Sequence, residues 1–304
     1  MNWRKSVDCL KRKQFALRLA AGLGRGRGQM RWLDQINPPP KAKVMPDLKN
    51  WEDHDLAAVW IGHATILLRI GGMTILTDPV FSNRIGLGLW LTTLGPQRKI
   101  AAALQPRQLP KIDLILSSHA HFDHLDRPSL AQLDKKTPVI MAASTRDLVW
   151  DLGFRNVTEL RWGETTRMNG LTITARQVEH WGARTFFDQQ RSYNGYLLES
   201  TRRRVLYGGD TAYQELFKDL GPVNLAILGI AAYDPYIRMH ATPEQAWMMA
   251  DHMRADFLLP MHHSTFRLSH EPMTEPLERM LTAAGRQTDR IAVQEVGGQW
   301  KWAG

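Results

Sequence analysis

The sequence predicts an α/β fold in which two β-sheets pack face to face and helices cover their outer faces. Three observations support this prediction. From residue 56 onward, apolar runs of strand length recur in two successive β-rich halves of the chain. Helix signals follow the strands of each half, which is the order expected for packed sheets with helices outside. No motif repeats at a short period, which argues against a solenoid.

The first half contains five predicted strands. "LAAVWI", "ATILLRI" and "MTILT" have strand composition, and Gly71-Gly72 joins the last two as a hairpin turn. "IDLILS" and "TPVIMA" are continuous apolar runs, which predict buried strands. Ser144 is then expected to begin a helix, with Asp147 at the capping-box position.

The second half repeats this pattern. Strands are predicted at "LTITARQV", "YNGYLLES", "RVLYGGD" and "NLAILGI". A helix follows "TPEQ", where Thr242 caps, Pro243 occupies the first turn and Gln245 completes a capping box. A strand at "DFLLPM", a helix near 273–284 and a final strand at "IAVQEV" complete the predicted elements.

Positive charge is concentrated at the N-terminus of this 304-residue chain. The net charge is +9, and residues 1–50 contain 12 Lys and Arg against 3 Asp and Glu. The remainder contains 27 of each sign and is neutral. A weakly amphipathic helix is predicted within the first 21 residues, before Gly-Arg and proline-rich stretches. We predict a basic arm or linker over 1–50 and a single domain over 51–304; the neutral body argues against nucleic-acid binding.

The same region bears on compartment. No apolar run approaches the roughly 18 residues that span a bilayer, and "KRKQFALRLAAGLG" is a poor secretion signal because Arg18 interrupts it. Cys9 is the sole cysteine, which excludes an internal disulfide and fits a reducing compartment. We expect a cytoplasmic protein. The basic arm is then either a peripheral contact with an anionic membrane at its inner face or a solubilising tail.

The stretch "SSHAHFDHLD" carries the chemistry. It follows the buried run "IDLIL" and places His119, His121, Asp123 and His124 within six positions. Burying such groups without partners costs several kcal/mol each. Zinc binds imidazole nitrogen and carboxylate oxygen, and its charge offsets that cost. The alternative, a solvated polar loop, leaves four ligand-type residues without a role.

Further ligand-type residues recur at later strand ends. These are His180, Asp210, His240, His262 and His263. Together they supply the donors that the first cluster lacks for two tetrahedral metal sites. Asp210 lies between a buried strand and a helix start, where its carboxylate is well placed to bridge two ions.

These motifs resemble the metallo-β-lactamase superfamily, whose signature is H-x-H-x-D-H followed by downstream His, Asp and His. "GPQR", "EHWGAR", "GGDT", "AAYDP", "HATPEQA" and "HHSTF" are similar to the branch of the N-acylphosphatidylethanolamine-hydrolysing phospholipase D and its bacterial relatives. The resemblance covers about residues 58–270, in the same order. It implies the αββα sandwich of that superfamily.

The resemblance also implies ligand roles. One zinc would be held by His119, His121 and His180, a second by Asp123, His124 and His262, and Asp210 would bridge both. The implied cofactor is two Zn²⁺ per chain, for which manganese or iron could substitute. Counting back from "TF" favours His262 over His263 as the ligand.

Supporting roles follow from the same resemblance. Asp123 would also orient the attacking hydroxide, and His240 would lie near the substrate, against the alternative of a surface histidine before a helix cap. Asp78 either orients the metal loop or caps a turn before Pro79. His63 is either structural or a support for a ligand.

The implied function is a zinc-dependent hydrolase. A phosphodiesterase of phospholipase D type would cleave N-acylphosphatidylethanolamine or a related lipid phosphodiester through a metal-bridging hydroxide. It would release phosphatidic acid and an alcohol. A lactonase or ester hydrolase of a small polar substrate, and a non-catalytic metal-binding sensor, are the alternatives. The apolar segment 85–94 has no counterpart in the branch and is either a buried helix or a lid that meets acyl chains.

Overall fold

Two β-sheets packed face to face form the centre of the fold. The structure, a computed structural model, describes residues 31–185 and 188–302. In chain order the strands are β1 (Leu56–Gly62), β2 (Thr65–Ile70), β3 (Met73–Thr77), β4 (Leu87–Gly88), β5 (Thr93–Leu94), β6 (Leu114–Ser117), β7 (Val139–Ala142), β8 (Val157–Leu160), β9 (Thr165–Met168), β10 (Leu171–Arg176), β11 (Gly195–Glu199), β12 (Arg204–Tyr207), β13 (Leu225–Gly229), β14 (Phe257–Met261) and β15 (Gln299–Lys301). The α-helices are α1 (Leu33–Ile36), α2 (Arg127–Ala131), α3 (Pro243–His252) and α4 (Glu275–Ala284).

Each sheet combines antiparallel and parallel strands. The first sheet has the order β15-β1-β2-β3-β6-β7-β8, and β3, β6, β7 and β8 run parallel. The second has the order β14-β13-β12-β11-β10-β9, and β12, β13 and β14 run parallel. The carboxyl ends of parallel strands are where α/β sheets bind ligands.

The alternation of side chains along β1 shows why both faces of the first sheet are apolar. Ala58 and Trp60 enter the core between the sheets, whereas Val59 and Ile61 pack into a second core on the outer face. Successive residues of a strand point to opposite faces, so a strand buried on both sides is apolar throughout. Helix α2 lies on that outer core through Leu130, and α3 and α4 cover the second sheet. The predicted sandwich is confirmed.

Local signals were reliable at hairpins and caps. Gly71 and Gly72, both with positive φ, join β2 to β3 with Ile70 opposite Met73. At α3, Thr242 Oγ1 accepts from the Gln245 amide at 3.3 Å, and Gln245 Oε1 accepts from the Thr242 amide at 3.0 Å. Both predictions are confirmed.

Two predicted elements differ from the structure. The helix expected from Ser144 is instead two short 3₁₀ turns, because Ser144 takes a left-handed φ of 62° and the Asp147 carboxylate binds the Arg191 guanidinium. The final strand predicted at 291–296 pairs at a single bridge, Leu258 with Ile291, and the last strand is β15.

Segment 85–94 is neither a buried helix nor regular core. Strands β4 and β5 form a short antiparallel hairpin with Leu87 opposite Leu94. At the base of the hairpin, Gly86 and Gly95 allow the two backbones to approach closely. A Cβ on Gly86 would lie 2.1 Å from the Leu94 carbonyl oxygen. The two backbones approach too closely for a helix to form.

The described part of the predicted arm contacts the body. The Ala101 amide donates to the Pro40 carbonyl at 2.7 Å, and the Asp47 amide donates to Gln299 Oε1 at 3.1 Å. The helix predicted within the first 21 residues, and Cys9, lie outside the described residues. Over the part of the chain that the structure describes, no helix is both long and apolar enough to span a bilayer.

Candidate metal centre

The Asp210 carboxylate lies at the centre of the candidate site. It follows β12 after Gly209 and is buried. Its Oδ2 lies 3.1 Å from Nε2 of both His124 and His262. The same atom lies 3.9 Å from His119 Nε2 and 3.8 Å from His180 Nε2. One carboxylate oxygen therefore adjoins imidazoles from both predicted metal groups.

The first group consists of His119, His121 and His180. His119 Nε2 and His121 Nδ1 are 2.9 Å apart, and His121 Nδ1 and His180 Nε2 are 3.2 Å apart. His180 Nδ1 donates to the Met239 carbonyl at 3.0 Å, so its Nε2 carries a free lone pair. Burial lowers the pKa of His121 and His180 to about 3, which keeps both rings neutral at pH 7. Neutral, converging imidazoles are what a metal ion requires.

The second group consists of Asp123, His124 and His262, and His63 adjoins it. Ligand atoms of these four residues lie within 4.8 Å of one another. Asp123 Oδ2 is 3.3 Å from His262 Nε2 and 3.6 Å from His124 Nε2. His63 Nε2 donates to the same Asp123 oxygen at 2.9 Å. His63 therefore has a hydrogen-bond partner within the second group. That it supports Asp123 as a metal ligand stays a prediction.

Charge within the second group is strongly coupled. Burial raises the pKa of Asp123, but the His124 charge, the adjacent His262 ring and a hydrogen bond from His63 outweigh it and hold that pKa well below its usual range. Burial lowers the pKa of His262, but Asp210 and Asp123 outweigh it and raise that pKa to about 9. The carboxylates are therefore ionised, as metal ligands must be.

The Asp78 carboxylate accepts four hydrogen bonds, three of them from the loop that carries His119 to His124. Its Oδ1 accepts from the Ser118 amide at 2.7 Å, and its Oδ2 accepts from Ser118 Oγ at 2.5 Å and from His124 Nδ1 at 2.7 Å. Tyr207 Oη donates to the same Oδ2 at 2.5 Å. This carboxylate orients the His124 ring so that Nε2 faces Asp210, which is the arrangement that fixes a metal-binding tautomer. The turn-cap alternative does not describe these contacts.

His262 and His263 face different surroundings. His262 directly follows β14, and its left-handed φ of 66° turns its ring toward Asp123 and Asp210. The His263 ring packs against Trp60 at a centroid distance of 4.5 Å, and its Nδ1 lies 2.8 Å from Ser264 Oγ. The residue nearer the site is His262, as the spacing from "TF" indicates.

Several buried polar atoms at the site have no hydrogen-bond partner among the described residues. They are His121 Nε2, His124 Nε2, His262 Nε2 and Asp210 Oδ1. Each costs free energy if nothing compensates its burial. A cation coordinated by these nitrogens and oxygens supplies that compensation, so the residues present fit a metal site. The absence of a thiolate suits zinc, manganese or iron.

A cleft of about 600 Å³ opens above the site. His121, Asp123, Asp210, His240 and His262 reach its floor, and the walls are mainly apolar. His240 Nδ1 lies 3.9 Å from Asp210 Oδ2, and burial lowers the pKa of His240 to about 4. The geometry thus brings His240 to the place where a substrate would enter.

Comparisons with known proteins agree with this arrangement. The family model of the β-lactamase superfamily domain matches residues 73–263. The chain belongs to the β-lactamase superfamily. A Caenorhabditis elegans N-acyl-phosphatidylethanolamine-hydrolyzing phospholipase D 1 is 30% identical over 247 residues, which is 74% of this chain and 68% of that protein.

Two further comparisons extend this result. An uncharacterised Mycobacterium tuberculosis protein is 31% identical over 268 residues, which is 84% of this chain and 71% of that one. A metallo-β-lactamase fold protein from Bacillus subtilis superposes with a TM-score of 0.55 at 16% identity, covering 81% of this chain and 99% of that one. The predicted metallo-β-lactamase fold is confirmed.

Sequence reasoning missed three residues at this superfamily site. Ser118 and Tyr207 hold Asp78, and Tyr207 sits in an apolar strand where nothing in the sequence distinguishes it from core. Arg184 lines the cleft, packs over the Phe122 ring at 3.8 Å and donates through Nη1 to the carbonyls of Ala120 and Leu125. The motif "EHWGAR" contains Arg184, but nothing in the sequence indicates that its guanidinium lines the cleft.

Proposed function

We propose that this metal-dependent hydrolase of the metallo-β-lactamase superfamily is a zinc-dependent phosphodiesterase of phospholipase D type. Its substrate would be N-acylphosphatidylethanolamine or a related lipid phosphodiester. The observation that carries the proposal is one carboxylate, Asp210, joining two groups of converging donors on the floor of a mainly apolar cleft. The likeness to the nematode phospholipase D supports the substrate class.

The residues divide into two metal-holding groups. One zinc would be held by His119, His121 and His180. A second would be held by Asp123, His124 and His262, and Asp210 would bind both. Two such ions, when bound, lower the pKa of a shared water and polarise phosphoryl oxygens. No cysteine or serine nucleophile is then required.

The chain's own side chains orient the reacting groups. His63 holds Asp123 through its Nε2–H, so the second Asp123 oxygen stays available to orient a water beside the phosphorus. Asp78 fixes the His124 ring through Nδ1. His240, neutral because burial lowers its pKa to about 4, is able to donate a hydrogen bond to a phosphoryl oxygen.

The cleft walls fit an anionic lipid. Ile85, Leu87, Tyr236 and Met239 offer apolar contacts of the kind that acyl chains require. Of the Lys and Arg side chains described, Arg184 is the one that lines the cleft. Its hydrogen bonds leave from Nη1, so Nε and Nη2 have no such partner among the described residues. A guanidinium in that state complements a phosphate.

The proposal is tested by product analysis on a substrate panel. Metal-replete protein is incubated with N-acylphosphatidylethanolamine, other phospholipids, a soluble phosphodiester and lactones, and products are identified by mass spectrometry. We expect phosphatidic acid and the N-acylated alcohol. Asp210→Ala should lose turnover because it removes the oxygen shared by both groups, whereas the exposed Asp219→Ala should retain it. Turnover of lactones alone would favour an ester hydrolase, and no turnover of any substrate would favour a sensor.

The remaining proposals concern the rest of the chain. We propose a single hydrolase domain from residue 51 onward, preceded by the basic segment, and peripheral contact between that segment and an anionic membrane. The excess of nine positive charges over residues 1–50 supports such contact, because each Lys or Arg near an anionic surface contributes about 1 kcal/mol.

A further inference from the structure

Exposed apolar side chains are concentrated on one surface beside the cleft. Sixteen large apolar residues are exposed among those that the structure describes, and half of them lie in two short segments, 32–36 and 87–94. We call this the hairpin surface; its members are Trp32, Leu33, Ile36, Leu87, Leu89, Trp90, Leu91 and Leu94. Trp90, at the hairpin tip, is 96% exposed. Contiguous apolar patches of this kind mark interaction sites.

The two segments are joined by backbone and side-chain hydrogen bonds. The Leu33 amide donates to the Leu91 carbonyl at 3.1 Å, and the Arg31 guanidinium donates to the Leu89 carbonyl. Asp34 Oδ1 accepts from Thr92 Oγ1 at 2.6 Å. The polar groups are therefore satisfied within the surface while the apolar side chains face outward. These hydrogen bonds hold the two segments together although their large apolar side chains stay exposed.

The hairpin surface is continuous with the apolar wall of the cleft. Ile85, at the base of the hairpin, is buried with Val80 and Phe266 and lines the cleft with Leu87. Tyr236 also lines the cleft, and both Tyr236 and its neighbour Ile237 are exposed. An apolar path therefore runs from the Trp90 tip to the metal centre.

Positive charge is concentrated in the sequence that directly precedes this surface. Residues 1–30 contain eight Lys and Arg and one Asp, and this segment joins the described chain at Arg31, directly on the hairpin. Arg238, next to Ile237, is exposed. A second copy of the chain docked here by a twofold axis would bring two such cationic segments together, which is unfavourable. An anionic bilayer complements both the charge and the apolar tip.

We propose that the hairpin surface docks on an anionic lipid bilayer, with Trp90 at the water–lipid interface, where the indole combines an apolar ring with a polar N–H. The cleft mouth then faces the membrane. A lipid phosphodiester reaches the metal centre along the apolar path without exposing its acyl chains to water. Delivery of substrate rests on the proposed function; docking itself does not.

Vesicle co-sedimentation of the full chain tests the docking. Vesicles of phosphatidylcholine alone and of phosphatidylcholine with phosphatidylglycerol are compared for wild type, Trp90→Glu and Trp150→Glu. Trp150, 68% exposed on a 3₁₀ turn that is not part of the hairpin surface, is the matched control. We expect Trp90→Glu to weaken binding to anionic vesicles about tenfold or more and Trp150→Glu to leave it unchanged. Equal binding by the two variants would overturn the proposal.

Two further measurements identify other occupants. If Trp90→Glu converts a dimer to a monomer in sedimentation velocity and vesicle binding is unchanged, the surface binds a second copy and the proposal is wrong. If deletion of residues 1–30 increases vesicle binding, that segment covers the surface in the same chain, which also overturns it.

Turnover separates docking from catalysis. Trp90→Glu should hydrolyse a soluble phosphodiester at the wild-type rate but lose most activity on phospholipid in vesicles. A wild-type protein that binds vesicles through Trp90 yet hydrolyses no phosphodiester supports docking and contradicts the proposed function. Equal loss of both activities in Trp90→Glu would contradict a role in docking.

Discussion

His262 and His263 are adjacent in sequence but lie in different environments, and mutation should distinguish their roles. His262→Ala should lose metal and turnover, because it removes a nitrogen that lies 3.1 Å from Asp210 and 3.3 Å from Asp123. His263→Ala should keep the metal and lose stability alone, since it removes packing against Trp60. Elemental analysis and thermal unfolding of both variants provide the measurement. Metal loss in His263→Ala with retention in His262→Ala would place the ligand one residue later.

Tyr207 acts on the metal centre only through Asp78. Tyr207→Phe removes one of the hydrogen bonds to the Asp78 carboxylate and should weaken zinc affinity measurably, by no more than the roughly tenfold that losing a direct partner of a metal ligand costs. Tyr196→Phe is the matched control: this buried tyrosine lies on the neighbouring strand and donates to the Ser117 carbonyl at 2.8 Å.

Competition with a zinc chelator distinguishes the two tyrosine variants. Both should lose stability to a similar extent, because each loses a buried hydrogen bond of about 1 kcal/mol. Only Tyr207→Phe should lose affinity. Equal zinc affinity in both variants would show that Tyr207 contributes to stability and not to metal binding.

The N-terminal segment divides into two parts with different effects on stability. Residues 38–48 contact the body through Pro40, Asp47 and the Val44 carbonyl, which packs against Gly297. Deletion of residues 1–30 should therefore leave thermal stability, metal content and soluble turnover unchanged. Deletion of residues 1–48 should lower the unfolding temperature, because it exposes the side of the first sheet that includes β15. Equal thermal stability of the two truncated proteins would show that residues 31–48 do not stabilise the fold.

Metal content is the property of the molecule as a whole that the donor set predicts. Protein purified from zinc-supplemented cells should contain two transition-metal ions per chain by elemental analysis. Removal by a chelator should lower the unfolding temperature, since a ligand bound only to the folded state at a thousandfold excess over its dissociation constant stabilises by about 4 kcal/mol. One ion or none per chain would contradict the two-metal assignment.

The pH dependence of metal uptake follows from the histidine pKa values. In the metal-free protein the neighbouring carboxylates raise the pKa of His262 to about 9, so below pH 9 a proton competes with zinc for its nitrogen. Burial lowers the pKa of His124, but Asp210 and Asp123 outweigh it and raise that pKa well above its usual value, so a second proton competes. Affinity at the second group should therefore fall at least tenfold per pH unit below 9. His121 and His180, with pKa values lowered to about 3, are neutral there, and the first group should show no such dependence near neutrality. Zinc titrations from pH 6 to 9 measure both.

Secondary structure was predictable from sequence where the causes are local. The turn at Gly71-Gly72 and the capping box of Thr242 and Gln245 depend on residues within four positions of one another, and both form as expected. The helix expected from Ser144 failed because Asp147 binds Arg191, which lies 44 positions away. The hairpin at 85–94 depends on contacts with residues 31–34, which no local pattern contains.

The donors of the metal centre were predictable for a chemical reason. Zinc accepts few residue types, and H-x-H-x-D-H at the end of a buried strand has little other use, so the sequence by itself determined the fold class and the candidate ligands. Only the tertiary structure decided that Asp210 Oδ2 adjoins both groups, that Tyr207 and Ser118 hold Asp78, and that Trp90 faces outward beside the cleft. Those contacts join residues far apart in the chain, and their distances arise from the packing of two sheets rather than from any local spacing.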